Sequence, residues 1–114
     1  MAKSNLIIEV ETDGFITFIT PFGDIDLSKS SELRLAIKPI LEKDPFKVIV
    51  DLNGVPYMDS SGVATLVEAL QLSKQSNIQF VVCCLTDGVR SIIELARLDK
   101  IFTICNSREE AIAK

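Results

Sequence analysis

Six residues, Lys47-Val48-Ile49-Val50-Asp51-Leu52, constrain this chain most. The run is apolar and β-branched with little alternation, the composition of a short strand covered on both faces. Asn53-Gly54 then reads as a turn. After Ser61, Val63, Leu66, Val67 and Leu70 recur at helical spacing. Ile78 to Leu85 is a second buried-strand run. Strand, helix and strand in succession demand parallel pairing through a right-handed crossover.

The remaining elements extend that unit. Leu6 to Glu11 and Phe15 to Phe22 flank Asp13-Gly14, a hairpin signal, because glycine takes the positive φ of a tight turn. Pro21 weakens the end of the second strand, since it donates no ladder bond. Gly23 to Leu27 reads as a loop. Leu33, Ala36, Ile37 and Ile40 predict a helix from Ser28 to Lys43, with Ser30 or Ser31 as its cap. Pro39 inside it predicts a kink or a restart. Thr86-Asp87 caps a third helix with the stripe Val89, Ile92, Ile93 and Ala96. Ile101 to Ile104 reads as an edge strand, and Ser107 caps a last helix. The order β-β-α-β-α-β-α-β-α predicts an α/β fold: one mixed sheet, an N-terminal hairpin plus parallel strands, layered against about four helices.

The 114 residues suffice for one domain with a core, so 1–114 is read as a single unit. The formal net charge is −4 and the twelve Lys and Arg are scattered, which argues against nucleic-acid or anionic-membrane partners. The longest apolar run, Phe80 to Leu85, is far short of the ~20 residues of a membrane span. No signal-peptide pattern opens the chain, which predicts a cytoplasmic protein without membrane insertion. Cys83, Cys84 and Cys105 lack zinc-ligand spacing and read as reduced thiols, the first two on opposite faces of one strand. The chain has no histidine, which removes His-based acid–base and nucleophile chemistry and argues against an enzyme.

Chemistry concentrates in Met58-Asp59-Ser60-Ser61-Gly62, where a loop meets the start of a helix. Unpaired N–H groups and the helix dipole there tolerate an anion. Two readings of the serines stand side by side. They are plain N-caps, with Ser61 the better placed, or one hydroxyl is free for modification. No Glu or Gln follows either serine at the third position, so the reciprocal capping box is absent. Asp59 either orients the Ser60 hydroxyl or caps the helix. Asp24 and Asp26 read as turn or cap residues and lack the oxygen-ligand pattern of a calcium loop. Tyr57 and Met58 are surface anchors or core.

Gly23-Asp24-Ile25-Asp26, Val50-Asp51-Leu52, Met58-Asp59-Ser60-Ser61-Gly62 and Leu95-Ala96-Arg97-Leu98-Asp99-Lys100-Ile101-Phe102 together resemble the STAS domain, and within it the anti-sigma factor antagonists. The resemblance covers almost the whole chain in order. It implies a non-catalytic partner switch that uses no cofactor. An anti-sigma factor serine kinase, with its bound nucleotide, would phosphorylate Ser60. A PP2C-type phosphatase would reverse this. The unphosphorylated form would bind the kinase and release the sigma factor, with Asp24, Asp26, Asp59, Ser61 and Gly62 as contacts. The alternative is a STAS subunit of a membrane transport complex, such as a bacterial phospholipid-transport system, serving as a docking module.

Overall fold

In a computed structural model that describes residues 6–114, the chain forms nine elements. They are β1 (Ile7–Asp13), β2 (Ile16–Phe22), α1 (Leu27–Glu42), β3 (Lys47–Asp51), α2 (Ser60–Gln75), β4 (Gln79–Cys83), α3 (Asp87–Leu95), β5 (Thr103–Cys105) and α4 (Arg108–Ala113). The strands lie in sequence order in one sheet. β1 and β2 are antiparallel, and β2, β3, β4 and β5 are mutually parallel. The hairpin closes with Asp13 opposite Ile16, and Gly14 takes φ +64°, the left-handed conformation that such a turn needs.

Helices α1, α2 and α3 cover one face. Ile19, Val48, Val50 and Val82 pack there against Leu33, Leu66 and Ile93. On the other face Phe18, Ile49, Val81, Cys83 and Cys105 lie under Ala111 of α4. Every residue of β3 is buried, as its unalternating sequence predicts. That burial includes Lys47, only 2% exposed, whose Nζ donates to the backbone oxygens of Ala111 and Ile112 at 2.9 Å and of Lys114 at 3.0 Å. A cation on a helix C-terminus satisfies its orphan carbonyls and complements its dipole.

β2 reaches Phe22 as the sequence reading has it, and Pro21 lies past the last rung shared with β3, so its missing N–H costs no bond to that strand. Two expectations change. α1 runs past Pro39 to Glu42 as one helix, which removes the restart. Leu35, whose carbonyl loses its partner to Pro39, is exposed, as is Pro39, so water can take that bond. The cap of α1 is neither Ser30 nor Ser31 but Asp26, whose carboxylate accepts from the Ser28 N–H at 3.0 Å.

Candidate functional site

The N-termini of α1 and α2 open side by side at one end of the sheet. Two connections bring them together: β2 to α1 through Gly23–Asp26, and β3 to α2 through Leu52–Asp59. A parallel bridge joins Ile25 to Met58. Ile25 N–H donates to Tyr57 O and Asp59 N–H to Ile25 O, both at 3.0 Å. Gly23 N–H donates to Gly54 O at 2.9 Å. Met58 and Ile25 are wholly buried and anchor the two loops, whereas Tyr57 is 51% exposed. A β-carbon on Gly62 would collide with Met58 Cγ and lie 3.0 Å from Ile25 Cγ2. The first turn of α2 therefore approaches the loops closely only because position 62 has no side chain.

Asp59, not Ser61, caps α2. Its Oδ1 accepts from the Ser61 N–H at 2.9 Å, the Ser61 hydroxyl at 2.5 Å and the Gly62 N–H at 3.3 Å. The Ser61 hydroxyl holds its carboxyl below the ordinary range, partial burial opposes this, and the backbone N–H groups of Ser61, Gly62 and Leu27 add to the lowering. Leu27 is the first residue of α1, so the Asp59 carboxylate lies near the start of both helices. Asp26 is lowered mainly by the Ser28 hydroxyl, which donates to it at 2.6 Å.

Ser60 is the first residue of α2 and is exposed. Its hydroxyl makes no hydrogen bond among the described residues, and the bonds of Asp59 go to Ser61 and Gly62 instead. The structure thus brings together Asp26, Asp59, Ser60, Ser61 and Gly62, with Asp24 exposed on the neighbouring loop. Ser61 faces its cap and is half-buried, and Gly62 is buried.

Sequence reasoning missed two parts of this surface. Leu27 is 76% exposed beside Asp26, which the expected helix start at Ser28 had left in a loop. An open groove of about 570 Å³ runs from Ser60 between α2 and α3, lined by Val63, Ala64, Val67, Ile92, Ala96 and Leu98. Ala96 is exposed, and half-buried Val67 and Ile92 pack against the core on one side while lining the groove on the other. The signal was present as an apolar arc on α2 wider than one packed face requires.

No helix among the described residues is long and apolar enough to cross a membrane. An anti-sigma-B factor antagonist of Listeria monocytogenes is 28% identical over 109 residues, 93% of this chain and 94% of the relative. The crystal structure of an anti-sigma factor antagonist from Mycobacterium paratuberculosis superposes with a TM-score of 0.87 at 24% identity, covering 96% of this chain and 92% of that one. SpoIIAA, a Bacillus cell fate determinant, solved in its phosphorylated form, gives 0.72 at 19% identity, with 94% and 97% covered. These likenesses establish the fold, and residues 7–111 match the family model of the STAS domain, so the chain belongs to the STAS domain family.

Proposed function

We propose that this STAS domain is an anti-sigma factor antagonist whose partner binding is controlled by phosphorylation of Ser60. The observation that carries this reading is the Ser60 hydroxyl, exposed and unbonded at the first position of α2 while its neighbours do the capping. The names of the relatives point to the same function, and the phosphorylated Bacillus structure shows that the fold tolerates the modification in that protein.

Phosphorylation adds about −1.5 to −2 charges. At a helix N-terminus that charge is locally tolerated, so the fold survives. The added anion nevertheless stands beside the Asp59 carboxylate, with Asp26 capping the adjacent helix. A kinase surface shaped around a neutral hydroxyl would have to desolvate it against two carboxylates, at a cost on the order of several kcal/mol. At ~1.4 kcal/mol per tenfold, that ends binding. In the unphosphorylated state Leu27 and Tyr57 offer apolar contact beside the acidic loops. The partners are an anti-sigma factor serine kinase with its nucleotide and a PP2C-type phosphatase.

The test is affinity capture from the native lysate with wild type, Ser60→Ala and Ser60→Asp, read by mass spectrometry. Wild type and Ser60→Ala retain an anti-sigma factor kinase and Ser60→Asp loses it. Retention of one transporter ATPase or permease by all three variants overturns the proposal and makes the chain a transport subunit.

A further inference from the structure

We propose that Asp51, Cys83 and Cys84 form a binding site for a thiophilic divalent cation of the zinc class, at the end of β3 and β4. Two sulfurs and a carboxylate oxygen there lie within 4.8 Å of one another. The Sγ atoms of Cys83 and Cys84 are 3.6 Å apart.

That convergence is not what adjacent strand residues do, since their side chains point to opposite faces. It arises because β4 ends at Cys83 and Cys84 turns to φ +61°. Among the described residues three other non-glycine positions have positive φ: Asp44, Asn77 and Arg97. Each directly follows the C-cap of α1, α2 or α3, where a left-handed residue is the usual way to end a helix. Cys84 follows a strand and has no such reason. A left-handed non-glycine residue costs about 1–3 kcal/mol, and such strain clusters at ligand sites. Here its effect is to fold the second thiol back onto the first.

The spacing selects an ion over a disulfide. Metal–sulfur bonds of about 2.3 Å at a tetrahedral angle span about 3.8 Å between sulfurs, close to the separation here. The α-carbons of adjacent residues lie about 3.8 Å apart, short of the range of about 4.4–6.8 Å for ordinary disulfides. The third ligand is prepared. Asp51 Oδ1 accepts from the Asn53 N–H at 2.9 Å and Oδ2 from Arg108 Nε at 2.7 Å. These bonds orient the carboxylate and leave each oxygen a further lone pair. Cys83 is buried, and half-buried Cys84 provides the solvent side and the open fourth position.

Charge also balances. A dication, two thiolates and the Asp51 carboxylate sum to −1, which the Arg108 guanidinium cancels. Binding to the two thiols breaks two S–H bonds, forms two metal–sulfur bonds and releases two protons to solvent, with no electron transferred.

The test titrates Cd²⁺ into the full chain under a non-thiol reductant, following the thiolate-to-metal charge-transfer band, with Zn²⁺ as competitor. One Cd²⁺ per chain binds with a two-sulfur band, and Zn²⁺ displaces it. Cys84→Ser, checked by circular dichroism, lowers affinity at least about 100-fold, beyond what loss of a supporting group costs. Cys105→Ser leaves it unchanged. Binding of equal strength in Cys84→Ser, or equal loss in Cys105→Ser, reveals adventitious thiol binding only and overturns the site. Because Cys84 is partly exposed, its variant decides the matter even if Cys83→Ser fails to fold.

Discussion

Asp26-Leu27-Ser28 opens α1 as Asp59-Ser60-Ser61 opens α2. In each, an Asp in extended conformation caps the helix, and the residue two further on gives it both an N–H and a hydroxyl. The first helical residue points outward in both. α1 places a bare leucine there and α2 a bare serine. The third position differs as well: Lys29 in α1 and Gly62 in α2. Two copies of one local device thus separate structure from function. Whatever the caps need is common to both, and what differs, Ser60 and the tight packing of Gly62 on Met58, belongs to the α2 surface alone.

Writing the α1 residue into α2 breaks the comparison most severely. Gly62→Lys puts a β-carbon onto Met58 and Ile25, both wholly buried. Overpacking a filled core costs about 1–3 kcal/mol, and we expect the upper end, read as a lowered denaturant midpoint with an unchanged slope. The reciprocal Lys29→Gly loses much less.

Asp59→Ala comes next. It removes the acceptor of three bonds, and loss of an N-cap costs about 0.5–2 kcal/mol. Asp26→Ala removes the same kind of cap, bonded by the Ser28 N–H and hydroxyl with the Lys29 N–H also drawn to it, but Asp26 is more exposed, so its loss is smaller. Equal denaturant midpoints for the two variants would show that the greater burial of Asp59 carries no stability.

The two ends also show what the sequence made legible. The strand and helix runs were readable because burial imposes periods of 2 and 3.6 residues, and Thr86 and Ser107 cap as expected. Ser61, and Ser30 or Ser31, read as the caps because a serine near a helix start is a good cap by composition, although Asp59 and Asp26 also stood among the cap readings. Asp26 and Asp59 win because the Ile25–Met58 bridge holds the residue after each in extended approach to its helix, a contact between segments about thirty residues apart. Cys84 was misplaced because alternation presumes that a strand continues. Lys47 reads as the polar first residue of a strand. Its burial depends on α4 returning more than sixty residues later to present carbonyls. The groove beside Ser60 shows in the sequence only as the wide apolar arc of α2, and its depth follows from how α3 lies against α2, which no local pattern encodes.

Acid sharpens the contrast further. The carboxyl of Asp59 is depressed in the folded state by the Ser61 hydroxyl. A depressed carboxylate contributes stability that is present above its unfolded pKa, near 3.8, and is lost as pH falls through the lower folded value. Asp59→Asn keeps an acceptor but does not titrate. The stability difference between wild type and Asp59→Asn should therefore shrink as pH drops below about 4, by less than ~1 kcal/mol because solvent screens the half-exposed group. A difference that grows toward acid would reverse the assignment.

The smallest effect expected is the one that bears most on function. The Ser60 hydroxyl gives its helix no bond, so Ser60→Ala should move stability by no more than ~0.5 kcal/mol, the range of ordinary surface substitutions. Ser60→Leu, which writes the α1 residue into α2, should be as mild, because Leu27 stands exposed at the same position of an intact helix. Ser61→Ala supplies the scale, since it removes a buried-side donor to Asp59 and should cost about 1 kcal/mol. Thermal unfolding of the three variants side by side decides the point. If Ser60→Ala loses as much as Ser61→Ala, the hydroxyl is part of the cap and is not free to be modified without disturbing the helix. If it loses nothing, the only energy a phosphate at Ser60 can change is that of the surface it faces, which is the condition a binding switch must meet.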